Sequence, residues 1–156
     1  MQDIAALQIA SWRDAYADSW PTEYLGQPVV DELTTRWSDV DLTTGDILLV
    51  SEGPNGIQGF IMILMKETPY VDNLHVDPGL RRSGIGKALL KAAARALIEK
   101  GETAVYLTVL TDNDRAIKFY LSMGAEIGPE QTDMMFDQKV KAFPMTWNDL
   151  PALAAI

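Results

Sequence analysis

The run Tyr70-Val71-Asp72-Asn73-Leu74-His75-Val76-Asp77-Pro78-Gly79-Leu80-Arg81-Arg82-Ser83-Gly84-Ile85-Gly86-Lys87 passes through three local signals in quick succession. Tyr70 to Val76 reads as a strand, and Asp77-Pro78-Gly79 ends it. A basic loop, Arg81 to Gly86, then feeds a helix expected from about Lys87 to Lys100. Leu90, Ala93, Ala94 and Leu97 give that helix one apolar face, while Lys87, Lys91, Arg95 and Glu99 lie on another side. Gly101 stops it. A glycine-containing turn that opens a helix leaves backbone N–H groups unpaired at the positive end of the helix dipole. That arrangement suits a phosphate or pyrophosphate. Gly84 and Gly86 permit close backbone approach, and Arg81, Arg82 and Lys87 add positive charge.

Two familiar phosphate loops fail on inspection. A Walker loop needs Ser or Thr where Ala88 stands and a glycine where Arg81 stands. A dinucleotide fingerprint needs a third glycine at the place of Leu89. A Gly-x-Gly standing alone is more often a simple turn, so its neighbours have to decide.

Outward from this segment, Ile4, Leu7, Ile9, Trp12 and Tyr16 recur at helical spacing from Asp3 to Tyr16, and Pro21 ends that region. Glu32 to Trp37 is expected as a second, short helix. Ile47 to Val50 and Ile57 to Met65 flank the turn Glu52-Gly53-Pro54-Asn55-Gly56 and read as a hairpin. Downstream, Ala104 to Leu110 reads as a strand, Asp112 to Met123 as a helix closed by Gly124, and Met134-Met135-Phe136 with Val140 to Trp147 as a closing hairpin. No repeat or interdomain linker interrupts residues 1–156, so one domain is expected. The element order predicts an α/β fold with a mixed sheet and helices on both faces.

Composition narrows the function. The chain has 156 residues with 47% hydrophobic and 22% charged, ordinary for a globular protein and against disorder. Thirteen basic residues against twenty-two acidic ones give a net charge of −9, which argues against nucleic-acid binding through phosphate neutralisation. The absence of cysteine removes disulfides, thiolate metal sites and a cysteine nucleophile. No apolar run approaches the ~20 residues of a membrane span, and Met1-Gln2-Asp3-Ile4 lacks a signal-peptide layout. A cytoplasmic protein is expected, with no membrane partner.

Leu74-His75-Val76-Asp77-Pro78 followed by Arg81-x-x-Gly84-x-Gly86 resembles the cofactor motif of the GNAT superfamily of acyl-CoA-dependent N-acetyltransferases. Asn113-x-x-Ala116-x-x-Phe119-Tyr120-x-x-x-Gly124 resembles the second signature of that superfamily, at the expected distance. Ser11-Trp12-Arg13-Asp14-Ala15-Tyr16 is similar to the first helix of some members. The resemblance spans residue 3 to about 150. It implies a GNAT-like fold with acetyl-CoA as co-substrate. Backbone groups of Leu74, His75 and Val76 would hold the pantetheine arm. The loop amides of Arg82, Ser83, Gly84, Ile85, Gly86 and Lys87, beside Arg81, would take the pyrophosphate. Asn113 and Ala116 would line the cofactor cleft, and Tyr120 would stand near the sulfur. The resemblance also implies a splay between strands that nothing in the sequence displays. The usual first strand is missing, which is compatible with a short edge, a truncated chain, or a partner's strand in a homodimer.

Asn113 and Tyr120 are two helical turns apart and share a face with Ala116 and Ile117. A tyrosine hydroxyl can protonate a leaving thiolate, since their reference pKa values are ~10 and ~8.5. The acceptor amine must lose a proton. Many relatives carry a glutamate where Tyr70 stands, and some carry one where Thr108 stands. Asp72 is therefore the candidate base, on the strand face of Tyr70 and Leu74 by alternation. His75 falls on the opposite face, so its backbone is expected to matter more than its imidazole. No ligand cluster suggests a metal, and direct transfer in a ternary complex is expected. Trp12, Tyr16, Trp20, Tyr24 and Trp37 are candidates for the acceptor wall, with core packing the commoner role for such residues. The expected activity is acetyl transfer to a primary amine of a small molecule or peptide. The competing reading is a non-catalytic acyl-CoA-binding domain of the same fold.

Overall fold

A computed structural model describes residues 1–18, 20–135 and 137–156. The chain enters helix α1 (Gln2–Ala15), which buries Ile4, Ala5, Leu7, Gln8, Ser11 and Trp12. Helix α2 (Gln27–Ser38) begins earlier than its apolar pattern suggests, with Pro28 in the first turn, where its missing N–H costs nothing. It buries Val29, Leu33 and Trp37. Strands β1 (Ile47–Gly53) and β2 (Gly56–Leu64) form the expected hairpin, and β3 (Tyr70–Val76) follows. A short 3-10 turn, Pro78–Leu80, leads to helix α3 (Ile85–Glu99). Then come β4 (Val105–Leu110), α4 (Asp114–Ser122), β5 (Glu126–Ile127), β6 (Gln131–Met135), β7 (Gln138–Trp147) and α5 (Leu150–Ala155).

The closing hairpin is present as β6 and β7, although Phe136, which the sequence assigns to it, lies outside the described residues. The two-residue β5 is too short to leave a periodic signal. Helix α5 was legible in principle: Asp149 caps it by accepting from the Ala152 N–H, and Pro151 sits in its first turn.

The seven strands form one mixed sheet in the order β1-β2-β3-β4-β7-β5, with β6 also paired to β7. Among the described residues only β3 and β4 run parallel. On one face, Leu89, Leu90, Ala93, Ala94 and Leu97 of α3 pack on Ile61, Ile63, Val71, Leu107 and Met145, and Leu150 and Leu153 of α5 close that core. On the other face, Ile4, Ala5, Leu7 and Trp37 cover Phe60 and Met62. Trp12, Trp20, Leu25, Val29 and Leu33 form a neighbouring cluster. Among the described residues no helix is long and apolar enough to cross a membrane.

Two irregularities make room for a site. β3 and β4 pair at Tyr70 and Tyr106 alone and then part. Among the described residues, the β3 edge facing β4 has no strand partner from Asp72 onward, so backbone N–H and C=O groups along it are open. The second irregularity is a bulge. Met62 pairs with Asn73 but Ile63 pairs with Val71, which leaves Asp72 as the extra residue.

The bulge corrects the alternation argument. Leu74 pairs with Ile61 and joins the α3 core, whereas His75 pairs with Phe60 and faces α1. Asp72 reaches Arg36 of α2 and its neighbour Asn73, which itself faces α1. Asp72 and His75 therefore share a face and Leu74 lies on the other. A single inserted residue reverses the parity that strict alternation assumes.

Candidate active site

The parting of β3 and β4 opens a cleft of about 1390 Å³ that runs from the Arg81–Lys87 loop to the inner face of β6. Gly84 holds φ at +86°, a left-handed conformation that glycine alone adopts without strain, and so turns the chain into α3. Arg82 is also left-handed, with φ of +66°. Among the described residues, the backbone N–H groups of 82–87 have no acceptor. The first one satisfied is that of Ala88, on the Gly84 carbonyl at 3.0 Å. This run of free donors at a helix start fits a phosphorylated group. Gly86 faces α4, where a Cβ would make an ordinary contact of 3.4 Å with Phe119 Cζ, so neither packing nor backbone conformation requires glycine there.

Side chains of the loop are more committed than the sequence suggests. The Arg81 guanidinium pairs with Asp14 of α1, and Arg115 joins the same carboxylate at 3.2 Å. The Arg81 hydrogen bond is the main reason that the Asp14 carboxyl lies below its usual range. Part of the loop's expected positive charge is thus spent in fastening α1 to it. The Ser83 hydroxyl donates to the Leu80 carbonyl and braces the turn. Arg82 and Lys87 line the cleft.

Asn113 precedes α4 rather than lying within it. It is the N-cap: its side-chain oxygen accepts from the Ala116 N–H at 3.3 Å, and its amide donates to the Tyr16 hydroxyl at 3.3 Å. Ala116 and Tyr120 follow along the same wall of the cleft. The Tyr120 ring meets Phe119 and Trp147 edge-on, at 5.4 and 5.8 Å between centroids. Burial pushes its phenol well above the usual value, and the nearby phenols of Tyr16 and Tyr70 add to the shift. The hydroxyl therefore stays protonated as a donor.

Leu74, His75 and Val76 line the cleft beside the loop. His75 Nδ1 lies 2.9 Å from the Ser11 hydroxyl, and its ring stacks at a tilt on Phe60 at 5.6 Å. Burial, aided by the charges of Arg36 and Arg81, pushes the imidazole down to about 3, so it is neutral near pH 7.

Asp72 is held from behind. Trp37 donates its indole N–H to Gln8, Gln8 donates to Asn73 at 2.8 Å, and Asn73 donates to Asp72 Oδ2 at 2.8 Å. Arg36 pairs with the same oxygen. Among the described residues Oδ1 receives no donor. Asp72 also lines the cleft. The Tyr70 hydroxyl lies 3.2 Å from that of Thr108, bridging the two parting strands.

Of the aromatic candidates, Trp12 and Tyr16 reach the cleft. Trp37 is buried at 1% exposure, and Trp20 and Tyr24 pack around Trp12 and Leu33 instead. The sequence reading passed over Gln8, Asn73, Arg36 and the β6 residues Gln131 and Asp133. Buried polar residues on an apolar helix face, such as Gln8, were the signal available. Among the described residues, no three His, Asp or Glu side chains converge as a metal site.

The model of the acetyltransferase (GNAT) family matches residues 7–125, and the chain belongs to that family. An uncharacterised N-acetyltransferase, YuaI of Bacillus subtilis, is 25% identical across all of this chain and 92% of its own length. The PaiA N-acetyltransferase of Thermoplasma acidophilum, solved with coenzyme A, superposes with a TM-score of 0.69 at 19% identity, over 94% of this chain and 92% of that one. A GCN5-related N-acetyltransferase from Rhodopseudomonas palustris reaches a TM-score of 0.73 at 19% identity, over 94% and 88%. At such identities the two structures speak for the fold.

Proposed function

We propose that residues 1–156 form one catalytic domain that transfers acetyl from acetyl-CoA to a primary amine of a small molecule or peptide, directly and in a ternary complex. The observation that carries this reading is the parting of β3 from β4 beside a loop of unpaired amides, with Tyr120 on the facing wall. The amides of 82–87 hold the pyrophosphate. The open edge of β3 at Leu74, His75 and Val76 holds the pantetheine arm. Asn113 and Ala116 shape the wall opposite, Ala116 by its small side chain.

Bound acetyl-CoA supplies an activated thioester, so the nitrogen–carbon bond forms as the carbon–sulfur bond breaks. Asp72 takes a proton from the incoming ammonium on its open Oδ1, because an ammonium has no lone pair to attack with. Tyr120 donates its hydroxyl proton to the departing sulfur as negative charge develops there, and the second proton that the nitrogen loses on forming the amide restores the phenol. With no cysteine in the chain, no acyl-cysteine is available and direct transfer is favoured.

The test is an amine panel with acetyl-CoA, following free thiol. Acceptor-dependent release supports the reading. Tight coenzyme A binding with no release from any amine would leave an acyl-CoA-binding module instead.

A further inference from the structure

The two ends of the cleft carry opposite charge. Arg81, Arg82, Lys87, Arg115 and Lys118 outnumber Asp114 at the end formed by α3 and α4, even with Arg81 and Arg115 paired to Asp14. At the far end stand Asp72 on the β3 bulge and Asp133 on β6, with Tyr70 and Tyr106 also lining it. β6 alternates half-buried Gln131, Asp133 and Met135 with exposed Thr132 and Met134, so its inner face looks into the cleft. Gln131 donates its side-chain amide to both Asp133 oxygens, at 3.1 and 3.2 Å, and holds the carboxylate in place. Among the described residues, no cation pairs with Asp133.

Asp72 and Asp133 both act on one hydroxyl. Burial is the main reason that the Tyr70 phenol lies above its usual value, and the charges of both aspartates add to it. The two carboxylates and Tyr70 line the same end of the cleft. Two cations stand at this end: Arg36, paired with Oδ2 of Asp72 and leaving Oδ1 open, and Lys66, whose ammonium sits 4.9 Å over the Tyr70 ring. Lys66 occupies the ring face, and among the described residues Asp133 has Gln131 but no cation as partner. The Met135 side chain and the Tyr106 ring offer apolar surface along the same stretch.

From this arrangement we infer that the acceptor is a small aliphatic dication, an α,ω-diamine. One nitrogen is presented to Asp72 for acetylation, and the other stays charged against Asp133. The inference rests on the transferase reading above and adds the substrate class. Acetylation converts the reacting ammonium into a neutral amide and takes two protons from its nitrogen, one passed to Asp72 and one replacing the proton that Tyr120 gives to the thiolate. The product then keeps one charge where the substrate had two, so it is held less tightly at this end and leaves more readily.

The experiment titrates the coenzyme A-loaded protein calorimetrically with α,ω-diamines of about three to six carbons and with the matching monoamines, alongside thiol release from acetyl-CoA. The best diamine should bind at least about tenfold more tightly than its monoamine, about 1.4 kcal/mol. Asp133→Asn should bring that ratio below about threefold, chiefly through KM with kcat nearly kept. Asp133→Glu should restore discrimination with a different preferred chain length. Equal binding of diamine and monoamine by the wild type overturns the subsite, as does a ratio that survives Asp133→Asn. Efficient acetylation of monoamines also overturns it, while leaving the transferase standing. Diamine-selective binding lost in Asp133→Asn, with no thiol released, would keep the subsite and overturn the transferase.

Discussion

Asn73 donates its side-chain amide to Oδ2 of Asp72 at 2.8 Å, across the one irregular step of β3. Asn73 is in turn held by Gln8, and Gln8 by Trp37, so a buried line of oriented dipoles ends on the carboxylate. Gln8 is 1% exposed and Asn73 7%, so neither has water as a substitute partner. Gln8→Leu should orphan the Trp37 N–H and the Asn73 oxygen, costing about 1–3 kcal/mol for each in urea denaturation. It should also lower kcat in the wild type and have little further effect in an Asp72→Asn background. Equal losses in both backgrounds would make Gln8 a packing residue alone.

Gly84 sits at φ of +86° with nothing within 4 Å of where a Cβ would stand. A substitution there is therefore opposed by backbone conformation and by crowding of the phosphate site, not by an internal clash. Coenzyme A should bind with low-micromolar or tighter affinity, and Gly84→Val should weaken that at least about tenfold, or 1.4 kcal/mol. A folded Gly84→Val protein that binds coenzyme A as the wild type does would remove the loop from the site.

If Asp72 accepts the proton, Asp72→Asn keeps an oxygen for Arg36 and Asn73 and loses only the base. Turnover should fall, coenzyme A binding should stay nearly intact, and the acidic limb of the pH–rate profile should change. Matching activity of the two proteins from about pH 6 to 9 would hand the proton to water or to the substrate's own ionisation.

His75 makes a prediction about stability. Its folded-state value is about 3 against an ordinary 6.5, so between those limits the unfolded chain binds a proton that the folded one refuses. Stability should therefore fall as pH drops through that window. Asp14 and Asp41, both held below their ordinary 3.8, titrate lower, so the slope above about pH 4 is where His75 acts. His75→Gln should flatten it. Parallel denaturation curves for the two proteins over that range would show that the imidazole is not excluded from charging.

The legible part of this protein was local. Tyr70 to Val76 and the turn at Gly84 announce themselves through short-range chemistry, and the structure has the strand with those same bounds and the glycine left-handed. The parting of β3 from β4 is a relation between segments far apart in sequence, and no residue pattern encodes it. The bulge at Asp72 is a register event set by β2, and it put Asp72 on the face of His75 against the alternation rule. Arg81 looked like a phosphate ligand because its partner Asp14, on α1, is far away in sequence. Asp133 drew no notice because the strand read at Met134-Met135-Phe136 begins after it, whereas β6 spans Gln131–Met135.

Tyr120 best separates an enzyme from a binding module. Its ring is packed edge-on against Phe119 and Trp147, and those contacts do not involve the hydroxyl. Tyr120→Phe should therefore fold normally and change coenzyme A affinity little, because the hydroxyl acts mainly as charge develops on sulfur. Burial raises the phenol well above its usual value, so it is a fully protonated donor at working pH and its loss should not move the pH–rate profile. Turnover should drop by roughly ten- to a thousandfold, within or just below the usual range for general acid catalysis. Wild-type turnover in the phenylalanine form would withdraw the role from Tyr120 and leave the thiolate to depart unassisted or with a proton from water. A thiol ester analogue whose leaving group has a lower pKa gives the complementary test. Its reaction needs less protonation, so the gap between Tyr120 and Phe should narrow with it if the hydroxyl serves the sulfur. An unchanged gap would place the hydroxyl's effect elsewhere in the cleft.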